Sequence, residues 1–273
     1  MPFNPGGKAR SFDNRDIKLG GAIPMQAPPV SYETDVSVIL KLYQAHWPAC
    51  GAHMGAHMKE VQELIDRGDV GGCSPRYLWR MIKDIDGLAY EDGTDMRSIF
   101  QALATKGTCA YASLPNPDPN TSLDVYSNPT LLSSMDEEAQ LNVIRPTYGF
   151  LSSGFSLQDL RSAIYTFKVV GILIRCDDGF WGSKFPTFTT KKYGHFVLAY
   201  GYDENGIKVV DSTEIAIPLK YINNLYFPFI QEVGTTTDVP YADIKAMIEK
   251  ISILTRIVNL YKQVIALKNQ IKK

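Results

Sequence analysis

Four residues of this 273-residue chain have types and an order suited to acyl transfer. Cys50 follows Pro48-Ala49 at the start of a segment with helical spacing. Unpaired amide N–H groups and the helix dipole at such a start favour the thiolate, the form that attacks carbonyl carbon. Six residues earlier, Gln44 carries a side-chain amide that can donate to a developing oxyanion alongside the Cys50 backbone N–H. His195 lies 145 residues beyond the thiol in YGHFVLAYGYD, and Asp211 follows 16 residues later in KVVDSTE. A thiol, a distant imidazole and a carboxylate that fixes the imidazole tautomer make a nucleophile, a base and an orienter. Alone, Cys50 would read as a buried structural thiol and His195 as a core histidine on an apolar strand. Together with Gln44 and Asp211 they favour catalysis.

The elements that must position these groups follow from periodicity. From Cys50 to about Arg67, Met54, Met58, Val61, Leu64 and Ile65 recur at three- and four-residue steps, predicting an amphipathic helix ended by Gly68. A second helix runs from Ser74 as N-cap and Pro75 at its first position to Gly87. MRSIFQALATKG predicts a third, closing at Gly107. DVSVILKLY (35–43) fits strand or helix equally by period. Residues 114–149, with five prolines, read as irregular connection. A helix over 156–167 begins at Ser156, with Asp159 in the capping-box position. After it VVGILIRC, GHFVLAYGYD and GIKVVDS read as strands, and DENG as a hairpin turn in which Asn205-Gly206 tolerates positive φ. Helices first and strands second predict an α+β fold of two packed lobes.

Lys and Arg total 28 against 29 Asp and Glu, a formal charge of −1 that gives no reason to expect nucleic-acid binding. Apolar residues at 45% and charged residues at 21% exclude a disordered or collagen-like chain. No apolar run approaches a membrane span, and the first residues lack a secretory h-region. Cysteines at 50, 73, 109 and 176 form no CxxC pair and no zinc-ligand pattern with histidine. Individually used thiols in a reducing compartment are the expectation. Residues 1–31, rich in Gly and Pro, read as an extended lead-in.

The order Gln44, Cys50, then Gly194-His195-Phe196-Val197-Leu198, then a hairpin leading to Asp211-Ser212, resembles the papain-like cysteine peptidases. The Cys–His separation fits the roughly 130–150 residues of that pattern. SPRYLW after the nucleophile helix and DGTDMRSIFQALATKGTC before a proline-containing loop resemble bacterial and phage members. The likeness runs from about Phe12 to about Val233. It implies a peptidase domain over 32–235, with a helical left lobe (about 44–145), a β-barrel-like right lobe (about 150–235) and a cleft between them. It further implies hydrolysis of peptide bonds through an acyl-enzyme, with Cys50 as nucleophile, His195 as base, Asp211 as orienter and Gln44 as oxyanion donor. A peptide or protein would be the substrate, and no metal or organic cofactor is called for. Gly93 is a candidate for the left-lobe wall that holds a substrate backbone in this family. Three positions depart from the pattern: Gly51 where Trp is usual, Asp211 where Asn is usual, and Thr213 where a shielding Trp is common. A less shielded, less efficient triad is therefore expected.

Other candidates weigh toward structure. Cys73, Cys109 and Cys176 lack catalytic partners and read as packing residues. His53 and His57 stand four apart on one helix, but Met54 replaces the Glu that a metalloprotease helix needs, so packed or hydrogen-bonded histidines are expected. His46 lines the cleft or faces solvent. Trp181 lines the cleft or packs in the right lobe. Lys191-Lys192 read as a solvated edge.

Over 241–273, Ile244, Ile251, Val258 and Ile265 repeat at seven, with Met247, Leu254 and Tyr261 between, and the local charge is +5. This predicts a helix that either self-associates as a coiled coil or lies on a lipid surface. Synthesis in the cytoplasm without a signal peptide and a virion-associated or lytic role of bacterial or phage type are the expectations. The alternative is a non-catalytic papain-fold structural or peptide-binding protein placed in an assembly by this helix.

Overall fold

The computed structural model describes residues 6–236, apart from 12, 14, 15, 21–23, 69, 70, 144–147 and 217. The helix expected over 241–273 lies outside the described residues.

Three short strands, β1 (Gly7–Lys8), β2 (Ile17–Lys18) and β3 (Tyr32–Glu33), precede helices α1 (Cys50–Arg67) and α2 (Pro75–Asp86). Strand β4 (Thr94–Asp95) leads into α3 (Met96–Thr105), followed by α4 (Leu123–Ser127) and α5 (Ser133–Leu141). Then come β5 (Tyr148–Phe150), α6 (Leu157–Phe167), β6 (Val170–Cys176), β7 (Tyr193–Tyr202), β8 (Gly206–Val210), β9 (Leu219–Asn223) and β10 (Ile230–Thr236). Helix boundaries obey their local chemistry. Ser74 Oγ accepts from the Tyr77 amide at 3.1 Å with Pro75 at the first position, and Gly68 and Gly87 close α1 and α2 in the left-handed conformation. Ser156 and Asp159 form a complete capping box.

The main sheet runs in the order β2-β5-β10-β6-β7-β8-β9, with β3 added against β7. It is open: the barrel-like closure expected of the right lobe is not formed among the described residues, because β2 and β9 stay at opposite ends of this order. Both faces of its centre are covered. Leu173, Phe196 and Leu198 face the helices α1–α3, while Ile172, Ile174, Val197 and Ala199 face α6. This explains the continuous apolar runs in β6 and β7. A register shift between Ala199 and Gly201 breaks the alternation and turns Tyr202 to the α6 side.

Four expectations change. Helix α1 is not amphipathic over most of its length: Cys50 to Gln62 are all buried, because α2 and α3 pack on one side and β7 on another. Residues 35–43 form neither strand nor helix, since the Lys41 ammonium gathers the carbonyls of Val36, Ser37 and Ile39 into a compact loop. The connection over 114–149 contains α4, whose N-cap Ser122 accepts from the Val125 amide, and α5. The DENG turn forms without positive φ at Asn205 or Gly206, because the Asp203 carboxylate accepts from the Asn205 amide at 2.8 Å and sets the turn from the side chain.

Candidate active site

Cys50 opens α1 and is wholly buried. Its Sγ accepts from the Phe196 amide at 3.5 Å, which ties the thiol to β7 at the residue after His195. Burial pushes the thiol up to about 12, and the amides of Phe196 and Gly51 pull in the opposite direction. The helix-start effect expected from the sequence therefore acts, but in this arrangement removal from water outweighs it.

His195 and Asp211 are also fully buried, and His195 Nε2 donates to Asp211 Oδ1 at 2.7 Å. That bond leaves Nδ1 as the ring nitrogen able to exchange a proton, and Nδ1 has no hydrogen-bond partner among the described residues. Burial opposes the charge of Asp211. The His195 charge and hydrogen bond, the Lys220 ammonium and the Thr213 hydroxyl together outweigh it and hold the carboxyl at about 2. Thr213 is thus a second orienter: its hydroxyl donates to Asp211 Oδ2 at 2.5 Å and its amide to Oδ1 at 3.2 Å.

The expectation of a poorly shielded pair is overturned. Trp181 and Phe180 stand edge-on to the imidazole with centroids at 5.3 and 5.4 Å. They come from the turn after β6, which the sequence left open. Asp177 fixes that turn by accepting from the amides of Gly179, Thr189 and Thr190 at 2.7–2.9 Å.

Gln44 is held on three sides. Its backbone N–H donates to the Ser212 carbonyl at 2.8 Å, its Oε1 accepts from Ser212 Oγ at 2.7 Å, and its Nε2 donates to the Trp47 carbonyl at 2.8 Å. The amide orientation is therefore set, and the second Nε2 hydrogen is the one an oxyanion would take. Trp47 anchors this turn by stacking on Tyr126 at 4.1 Å and donating to the Thr121 carbonyl. Ala45, between them, sits at φ +52°, a strained conformation that the two anchors maintain.

The chain's own N-terminal strand runs between the two walls that carry these groups. β1 pairs in parallel with β4, and the Thr94 amide donates to the Gly6 carbonyl at 2.9 Å. A Cβ on Gly6 would lie 2.3 Å from the Pro48 carbonyl oxygen, and one on Gly7 would lie 2.7 Å from the Gly194 carbonyl carbon. The strand thus passes beside the second residue before Cys50 and the residue before His195. Gly93, with φ +69°, lets the Gly6 carbonyl approach to where a Cβ would be only 1.7 Å away. Buried Lys83 of α2 steadies this wall by donating to the Gly93 carbonyl, and Asp86 accepts from Thr94 Oγ1 at 2.8 Å. Gly93 therefore stands on a wall that holds an extended backbone, although the backbone is this chain's own. Composition marked residues 1–31 as a lead-in but gave no sign of where they lie.

Gly51 follows from packing. A Cβ there would lie 2.7 Å from Ile99 Cδ1 and 2.8 Å from Thr94 Cγ2. Gly51→Trp is expected to cost about 3 kcal/mol through overpacking, read as a lower urea midpoint at unchanged slope.

His53 and His57 are buried structural groups. His53 Nδ1 donates to the Ala49 carbonyl and its Nε2 accepts from Asn116, both at 3.0 Å, while His57 Nε2 accepts from the Leu42 amide at 3.4 Å. Burial lowers their pKa values to about 4 and about 3. Between these values and the unfolded value near 6.5 the unfolded chain binds more protons, so these residues stabilise the fold above that window and lose their contribution as pH falls through it. Glu60 and Glu232, which burial raises to about 7, act in the opposite direction over the same range, so the histidine contribution is read as a difference between proteins. The thermal midpoint of His57→Gln relative to the parent is expected to be higher at pH 5 than at pH 7, and an equal offset at both pH values would contradict this.

The remaining candidates fall into place. Cys73, Cys109 and Cys176 are buried and not disulfide-bonded. His46 is half-buried with its ring 5.6 Å from Trp47. Lys192 pairs with Asp178 at 2.9 Å on an exposed edge.

No protein-family model and no curated protein matches the sequence. Solved structures do match in fold. Xylellain, a cysteine protease from Xylella fastidiosa, superposes with a TM-score of 0.71 at 17% identity, covering 86% of this chain and 96% of its own. Digestive procathepsin L 3 of the Tenebrio molitor larval midgut gives 0.65 at 16% identity, covering 85% and 76%. The Carica candamarcensis cysteine protease CMS1MS2, solved in complex with E-64, gives 0.59 at 15% identity, covering 77% and 99%. The chain has the papain-like fold.

Proposed function

We propose that this chain is a cysteine peptidase whose cleft is closed by its own N-terminal strand. The observation that carries this reading is the buried pair of His195 on β7 and Asp211 just after β8, with the Cys50 thiol bonded to the amide that follows His195. In the open state Cys50 Sγ attacks the peptide carbonyl carbon and its proton passes to His195 Nδ1. Asp211 holds Nε2–H and stabilises the imidazolium. The oxyanion takes the second Gln44 amide hydrogen and the Cys50 N–H. His195 then protonates the leaving amine. Water, deprotonated by the same imidazole, hydrolyses the thioester and regenerates the thiol. These steps call only on groups of the chain and on water.

Total burial of Cys50 favours a second reading, a papain-fold binding protein that does not turn over. A peptidyl electrophile, incubated with the Gly7→Leu variant in which the strand is displaced, separates the two. The peptidase reading expects a stoichiometric mass adduct on the peptide containing Cys50 and on none of the other three cysteines. No adduct at Cys50, with the fold intact, would leave the binding reading.

A further inference from the structure

The Asp211 side chain has no exposed surface, and its hydrogen-bonded neighbour His195 carries a charge only when protonated. Lys220, on the edge strand β9, brings an ammonium to it from inside the protein. Its side chain is as fully buried as that of Asp211, and its Nζ lies 3.2 Å from Asp211 Oδ2. The ammonium also forms an ion pair with Glu214 Oε2 at 2.8 Å and donates to the Phe180 carbonyl at 2.8 Å. The same ammonium lies 4.6 Å from the Phe180 ring centroid and 5.6 Å from that of Trp181, the two rings that stand against His195. A buried lysine is costly unless it is paired, and two carboxylates and a carbonyl oxygen surround this one.

We infer that Lys220 is a positioning residue for the reaction: it balances the Asp211 charge and pins the Phe180–Trp181 shield over the imidazole. This rests on the peptidase reading. The geometry has a chemical consequence. A lone buried carboxylate would stabilise the imidazolium so strongly that His195 would be slow to return its proton to the leaving amine. With Lys220 beside it, Asp211 still fixes the tautomer while part of its field is cancelled. The other titratable groups facing this centre are the thiols of Cys50 from α1 and Cys176 from β6, His57 further along α1, Asp177 after β6, and Glu214 beyond Lys220. Among the described residues, none of these forms an ion pair with Asp211 as Lys220 does.

The test is the pH profile of Cys50 alkylation by iodoacetate in the full-length protein carrying Gly7→Leu, which exposes the thiol and serves as the parent for this comparison, followed site by site by mass spectrometry. An anionic reagent reacts fastest with a thiolate beside an imidazolium, so its rate falls on the alkaline side as the imidazolium loses its proton. In Lys220→Met that alkaline limb is expected to move up by about one pH unit. In Asp211→Asn/Lys220→Met, where both charges are gone, it should return to or fall below the parent position. Glu214→Gln, which leaves the ammonium wholly to Asp211, should move it down. A folded Lys220→Met protein with the parent's limb overturns the inference. Should Lys220→Met fail to fold, Glu214→Gln decides by the same measure, and an unmoved limb there overturns the inference. The peptidase reading fails separately: Cys50 would then show no imidazole-coupled limb in the parent, or would show it with no Cys50-dependent peptide hydrolysis in the strand-displaced protein.

Discussion

Gly7→Leu is expected to raise the alkylation rate of Cys50 by about 100-fold, with Cys73, Cys109 and Cys176 unchanged. The leucine Cβ alone would lie 2.7 and 2.8 Å from the Gly194 carbonyl carbon and oxygen, and 2.8 Å from Leu173 Cδ1. Two of these are backbone atoms of Gly194 in β7, held by its pairing with Arg175 of β6, so the strand rather than the wall must give way. What opposes release is small: a two-residue pairing with β4 and the exposed Lys8–Asp92 ion pair at 3.1 Å. An exposed pair of this kind contributes only about 0–1 kcal/mol. Shifting such a closed state by about 2.7 kcal/mol is a 100-fold change in the open fraction. Release stays local, because Arg10 donates its amide to Glu232 at 2.9 Å and Asp16 pairs with Arg97 at 2.8 Å, holding the chain beyond the strand. Contact with water also removes the main cause of the raised Cys50 thiol, so the open form should react at lower pH than the parent. Equal rates in variant and parent would show that β1 is not the barrier.

The second large effect is the loss of hydrolysis in Cys50→Ala, about 10³–10⁶-fold in kcat on the strand-displaced background. Stability should change little, since the substitution removes a single buried sulfur and the residue keeps its place at the start of α1. His195→Ala should lose a comparable factor, and the double variant no more than either alone, because thiol and imidazole act as one unit. Asp211→Ala should behave differently. It leaves Lys220 as a buried cation with Glu214 alone, so about 3–5 kcal/mol of stability is expected to go along with the activity. Steady-state hydrolysis of a fluorogenic peptide, paired with urea unfolding of each variant, measures both. Undiminished turnover in Cys50→Ala would remove this cysteine from the mechanism.

Local signals were fully legible in the chain. Ser74-Pro75, Ser156 with Asp159, and the closing glycines at 68 and 87 fix helix ends through bonds a few residues long, so sequence alone determines them. The order of Gln44, Cys50, His195 and Asp211 was equally readable, since each has a side chain with distinctive chemistry. Tertiary structure decided what depends on partners far apart. That α1 is buried from Cys50 to Gln62 depends on β7 arriving about 140 residues later. That residues 35–43 form a loop depends on one ammonium reaching three carbonyls. Lys220, Trp181 and Phe180 surround the His195–Asp211 pair from segments with no motif of their own, and only packing brings their charge and rings to it. The closed cleft is the strongest case. Gly6 and Gly7 look like any flexible lead-in, because glycine carries no side chain to advertise a role, and the absence of a side chain is what lets the strand fit between Pro48, Gly93 and Gly194.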